Sequence, residues 1–117
     1  MPIHDLQLDP DPTAARAQLE AASRARPVVV FKHSPICPVS DRALRQFRSF
    51  LGSLPPGREL GVAHVDVIAQ RPLARGLTAA LGVEHQSPQA LWFEGGALAW
   101  HDSHGALTAE RFARALG

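Results

Sequence analysis

Cys37 is the only cysteine among 117 residues, and Ser40 follows it three positions later in the run Cys37-Pro38-Val39-Ser40. A thiol does its chemistry as the thiolate, which attacks disulfide sulfur and binds soft metals. The run has the C-x-x-C spacing of a redox dithiol, with serine as the second member. If the run opens a helix, both side chains fall in its first turn and the Ser40 hydroxyl can donate to the Cys37 sulfur; an ordinary helix-start serine fits the position equally. One cysteine forms no internal disulfide and no multi-thiolate zinc site, so a disulfide-stapled secreted domain is excluded. A mixed disulfide at Cys37 would persist until an outside thiol removed it.

The elements around Cys37 decide whether its thiol is reactive. Pro27 to Lys32 contains a β-branched run without alternation, as expected of a strand buried on both faces. A turn through His33-Ser34-Pro35-Ile36-Cys37 leads into a helix from Pro38 to about Leu51. Its apolar positions Val39, Ala43, Leu44, Phe47, Phe50 and Leu51 hold helical spacing, with Arg42, Arg45 and Arg48 on the other side. Pro38 suits the first helical position, which sets Cys37 at or beside the N-cap. Free amides of the first turn and the helix dipole both favour an anion there. They are expected to lower the thiol pKa from about 8.5 into the roughly 3.5–7.5 range of reactive cysteines. The competing reading is a small buried hydrophobe. His33, four residues before Cys37, either stabilises the thiolate or faces solvent.

Pro88 directly precedes a predicted strand, Gln89 to Glu94. A proline there is a candidate cis-proline, since the cis form of an X–Pro bond costs only about 0.5–1 kcal/mol. A trans proline opening a strand fits as well. The cis form would expose the Ser87 backbone beside the cysteine, where an extended thiol or peptide could pair with it.

The remaining pattern supplies the fold class. Asp11 reads as the N-cap and Pro12 as the first residue of a helix running to about Ser23. Leu60 to Val67 reads as a strand, and Pro72 opens a helix that ends near Leu81 at Gly82. Glu94-Gly95-Gly96 is a hairpin signal between Gln89–Glu94 and Ala97–His101. Thr108 caps a last helix, Ala109 to Leu116. This order predicts an α/β fold of thioredoxin-like arrangement over residues 1–117 as one domain. Its expected form is a mixed four-stranded sheet with helices on both faces and an N-terminal helix. Twelve basic and eleven acidic residues offer no electrostatic footprint for nucleic acid or an anionic membrane. The eleven arginines against one lysine, Lys32, read as genome composition. The N-terminus carries no signal-peptide pattern and no apolar run approaches the about 20 residues of a span. A cytoplasmic location is expected.

Phe31-Lys32-His33-Ser34, Cys37-Pro38-Val39-Ser40, Ser87-Pro88-Gln89 and Ser103-His104 together resemble the bacillithiol-system YtxJ-like family, the monothiol bacilliredoxins, from about Pro27 to Thr108. The resemblance implies a thioredoxin fold with a single redox cysteine and no resident cofactor. It implies a low-molecular-weight thiol, bacillithiol, as co-substrate and bacillithiolated cytoplasmic proteins as partners. Cys37 would be the attacking thiol, Ser40 would hold the resolving-cysteine position, and Pro88 would be the cis-proline. Pro38, Ser87 and His33 join them as expected substrate-binding residues. The pattern departs at Gly105, where many members carry an aromatic residue, and this leaves the role of His104 open.

Other chemistries are weaker. A C-x5-R phosphatase loop needs arginine at position 43, which is Ala43; Arg42 is one residue early. His101 and His104 make a two-histidine pair with no third ligand, so no metal site is expected. A Cys–His hydrolase lacks an oxyanion signature. The alternative to redox turnover is a glutaredoxin-like iron–sulfur cluster or partner-binding module. In the cluster-binding C-G-F-S motif, glycine stands where this chain has Pro38, which lacks the backbone donor. Absorbance at about 400 nm in fresh protein would mark such a cluster.

Overall fold

The computed structural model describes residues 2–117. The strands are β1 (Ile3–Asp5), β2 (Val28–His33), β3 (Leu60–Asp66), β4 (Gln89–Glu94) and β5 (Ala97–Ser103). The helices are α1 (Pro12–Ala22), α2 (Pro38–Gly52), α3 (Arg71–Leu81) and α4 (Ala109–Leu116), with a 3-10 turn over His104–Ala106. The sheet order is β1-β3-β2-β4-β5. β1, β3 and β2 run parallel, while β4 and β5 pair antiparallel. This is the expected mixed α/β sheet with one correction: it has five strands rather than four, because a short edge strand precedes α1. Ile3-His4-Asp5 is too short to carry periodicity. It is a strand because β3 lies beside it, with Ile3 opposite Leu60 and Asp5 opposite Val62.

β2 sits in the middle of the sheet, and its alternation feeds two cores. Val28 and Val30 pack under α1 and α3 with Leu19, Leu73 and Leu77. Val29 and Phe31 pack under α2 and α4 with Phe47, Phe50 and Phe112. Residues 28–32 are all buried, which is why this strand reads as a continuous apolar run. On the α2 side the core is aromatic: Phe31 stacks on Phe47 at 4.7 Å, and Trp92 on its cross-strand partner Trp100 at 5.5 Å. The tryptophans are therefore packing residues.

Local chemistry sets the ends of the elements. Asp11 caps α1 by accepting from the Ala14 amide, and Thr108 caps α4 by accepting from that of Arg111. Gly82 closes α3 in the left-handed conformation at φ 70°. Gly95 and Gly96, at φ 60° and 88°, give the β4–β5 hairpin the two positive-φ residues a tight primed turn demands. Asp66 ends β3 by accepting from the Ile68 and Ala69 amides at 2.8 and 3.0 Å.

Candidate active site

β2 ends at His33, and the chain turns through Ser34–Cys37 into α2. Cys37 is the N-cap, with extended backbone at φ −102° and ψ 122°, and Pro38 is the first helical residue. Two bonds hold the turn. The Cys37 amide donates to the Ser34 carbonyl at 3.4 Å, and the Ser34 amide donates to the Ser40 hydroxyl oxygen at 3.1 Å. Ser40 is thus a buried bracket across the loop, only 1% exposed. Its remaining hydroxyl proton is free to face the sulfur.

An N-cap side chain normally accepts from the second or third helical amide. Pro38 has no N–H, so the available donors are Val39 and Ser40. Those are the groups that lower the Cys37 pKa. The Ser40 amide acts most strongly, then that of Val39, with a smaller contribution from the Ser40 hydroxyl, against an opposing effect of burial. The thiol is partly exposed. Around it stand apolar side chains open to solvent: Ile36 at 81% exposure, Ile68 at 53% and Val39 at 47%.

The Ser87–Pro88 peptide bond is cis, the form for which the sequence made Pro88 a candidate. Pro88 is buried, and its carbonyl accepts from the His104 amide at 3.1 Å. Ser87 lines the same groove as Cys37, about 390 Å³ in volume, together with Ser34, Ile68, Arg71, Arg75 and His85. The Ser87 hydroxyl oxygen is buried and has no hydrogen-bond partner among the described residues. Pro38 faces a second groove of about 310 Å³ on the other side of the α2 N-terminus, shared with Val39, Arg42 and His104. The structure therefore brings Ser87, the residue before Pro88, to the groove of Cys37, with Ser40 bracing the same turn and Pro38 at its edge. His33 is not brought to the Cys37 groove. It points to the α2 side of the sheet, with its ring 6.1 Å from those of Phe31 and His64. His101 and His104 belong to no group of three or more His, Cys, Asp or Glu able to hold a metal among the described residues.

One polar cluster was missed. Lys32 is fully buried on the α3 side of β2, and its Nζ lies 2.7 Å from both Gln89 Oε1 and His85 Nδ1. Burial, then the Arg75 charge, lowers its pKa to about 8. Gln89 carries this order into the loop before Pro88: its Oε1 accepts from the Gln86 amide and its Nε2 donates to the Glu84 carbonyl. The signal in the sequence was a lone lysine inside a strand otherwise apolar from Val28, in a chain that elsewhere uses arginine. It was read as composition because nothing local names its partners, which lie 53 and 57 residues away.

A βαβ crossover followed by an antiparallel hairpin, a cysteine at the central helix N-terminus and a cis-proline beside it define a thiol–disulfide oxidoreductase of the thioredoxin fold. Solved structures share the fold. A protein described as a candidate oxidoreductase with a thioredoxin fold aligns over 99% of this chain and 95% of its own, at 28% identity and a TM-score of 0.74. Trxlp from Edwardsiella tarda aligns over 97% of both chains at 22% identity and a TM-score of 0.66. Fasciola hepatica thioredoxin aligns over 97% and 95% at 16% and 0.66. The family model of the monothiol bacilliredoxin BrxC matches residues 12–112. The chain belongs to the monothiol bacilliredoxin family. No helix among the described residues is long and apolar enough to cross a membrane.

Proposed function

We propose that this protein removes a low-molecular-weight thiol, bacillithiol, from mixed disulfides on cytoplasmic client proteins, with Cys37 as the attacking sulfur. The Cys37 thiolate attacks the small-thiol sulfur of the client disulfide. A Cys37–thiol disulfide forms, the client bond breaks, and the client sulfur leaves with the electron pair as a thiolate. A second free thiol or a partner reductase then resolves the adduct, because Ser40 stands where a resolving sulfur would be. One observation carries the reading: a single cysteine at a helix N-cap, its pKa lowered by the Val39 and Ser40 amides. Ser87 and Pro88 frame the groove in which the disulfide would lie, Pro38 leaves the Val39 and Ser40 amides as the sulfur's donors, and His33 has no part in the step.

The test is intact mass after incubation with oxidised low-molecular-weight thiols. The protein is expected to gain one thiol, and the Cys37→Ser variant none. If wild-type protein takes no adduct while a control peptide thiol does, the reading is wrong. Because the thiolate is the nucleophile, the rate of adduct formation falls with pH through the Cys37 pKa. Its midpoint is expected below the ordinary thiol value.

A further inference from the structure

Glu84 to Ser87 lie between the end of α3 and the start of β4. Along this stretch the chain makes no backbone–backbone hydrogen bond among the described residues. Side chains from the sheet supply the order instead. Lys32 and Gln89 are opposed in the antiparallel β2–β4 pairing, so their side chains rise from one face of the sheet. Gln89 Nε2 donates to the Glu84 carbonyl at 3.0 Å, and Gln89 Oε1 accepts from the Gln86 amide at 3.2 Å. Lys32 Nζ donates to that same oxygen at 2.7 Å and lies 2.7 Å from His85 Nδ1. Residues 84 to 86 are thus tied to two buried side chains. His85 also hydrogen-bonds the Ala74 backbone of α3. Ser87, the next residue, lines the groove of Cys37.

We propose that Lys32 is a positioning residue for exchange at Cys37: its ammonium, acting through Gln89 and His85, sets the loop that places Ser87 in the groove. The proposal rests on the exchange reading above and adds to it a residue that does not touch the sulfur. Gln89 Oε1 and His85 Nδ1 are both acceptors toward Lys32, so this position needs a donor with several N–H groups. An ammonium supplies them as charge-assisted bonds, roughly twice as strong as neutral ones. An apolar side chain would fill the space and hold nothing. Apart from the pair itself, the charged groups acting on Lys32 and His85 are Arg75 and Arg71 of α3, and no carboxylate acts on either. Burial first, then the Lys32 charge, lowers the His85 pKa and keeps the ring neutral at neutral pH. The ammonium is therefore held by neutral partners rather than in an ion pair. Lys32 is not among the groups that lower the Cys37 pKa, which are Ser40 and Val39. It acts on the geometry of the groove and not on the thiolate.

Two reagents separate these roles. Iodoacetamide alkylation reads the Cys37 thiolate alone, whereas bis(2-hydroxyethyl) disulfide must also align its sulfurs within the groove. Both consume the same thiolate, so the ratio of disulfide rate to alkylation rate cancels its titration. Lys32→Met is expected to lower that ratio about tenfold and to leave the alkylation rate within about twofold. In the wild type the ratio should fall about threefold from about pH 7 to about pH 9.5, as the ammonium, with its pKa of about 8, loses its proton and its bonds weaken. In Lys32→Met the ratio should be flat with pH, which a lysine that merely fills space would not explain. Gln89→Met keeps the lysine but cuts its hold on the loop, and should lower the ratio as well. Adding Lys32→Met to it should lower the ratio little further. If Lys32→Met does not fold, Gln89→Met and the wild-type pH profile decide the matter. A ratio unchanged in either folded variant, or a wild-type ratio that is flat with pH, overturns the positioning role and leaves the exchange reading standing. Wild-type protein that is alkylated but takes no adduct from the disulfide overturns the exchange reading, and this role with it.

Discussion

Ser40 has two jobs that a single substitution separates from those of Cys37. Its oxygen accepts from the Ser34 amide, and its amide and hydroxyl both lower the Cys37 pKa. Ser40→Ala keeps the amide, which has the larger effect, but loses the hydroxyl and leaves the Ser34 amide without its partner. The thiol pKa is expected to rise while staying below the ordinary value, read from thiolate absorbance at about 240 nm. Stability should fall by about 1–2 kcal/mol, the cost of an unsatisfied buried donor. A pKa that does not move would mean the hydroxyl points away from the sulfur. The address of Cys37 was legible beforehand because strand, turn, proline and helix are consecutive in the chain. The bracket to Ser34 was not, since a serine's partner depends on how the turn closes.

Helix packing explains both what the pattern revealed and what it concealed. α2 was readable from apolar spacing, because it presents one face to the sheet and the other to solvent, and α3 and α4 were readable from their end signals, Pro72 and Gly82 for the one and Thr108 for the other. β1 was hidden for the opposite reason: three residues cannot show a period, and their pairing with β3 is supplied by a strand about 57 positions away in register. The contact between α1 and α3 was also invisible in either segment alone. Gly76 of α3 faces the ring of Pro12 at the start of α1, and a Cβ there would overlap the proline ring. Gly76→Ala normally strengthens a helix by about 1 kcal/mol. Here the overlap should outweigh that gain, giving a net loss of about 1–2 kcal/mol. A lower thermal midpoint in Gly76→Ala, recovered in part by adding Pro12→Ala, checks it. An unchanged or higher midpoint would mean that the helices separate freely. Because α3 carries Arg71 and Arg75, the same variant reports on how firmly that wall of the groove is held.

The sheet as a whole buries one charge-bearing side chain at its centre, and the stability of the entire fold should record it. Lys32 is fully buried, with its pKa lowered from 10.5 to about 8, first by burial and then by Arg75. The ammonium is held by Gln89 and His85, so below about pH 8 the fold carries it protonated. The unfolded chain binds this proton up to about pH 10.5, while the folded chain releases it from about pH 8 upward. Between those values the unfolded state holds more protons, so stability rises with pH. The rise is bounded at about 3 kcal/mol by the size of the shift. Cys37, whose pKa is also lowered, contributes in the same direction at lower pH, so the measurement belongs in a Cys37→Ser background. The chain has no tyrosine, which leaves this window otherwise clear of side chains that titrate before arginine. Urea unfolding at intervals from pH 7 to pH 10 is expected to give a rising midpoint in that background. In Cys37→Ser/Lys32→Met the pH-dependent rise should be lost, whatever the substitution does to stability at pH 7. A rise that survives Lys32→Met would place its origin elsewhere. The partners that hold Lys32 also order the loop carrying Ser87 and Pro88, so this variant should also slow Cys37 adduct formation with bis(2-hydroxyethyl) disulfide. That coupling would make the buried lysine the link between the stability of the sheet and the geometry of the thiol site.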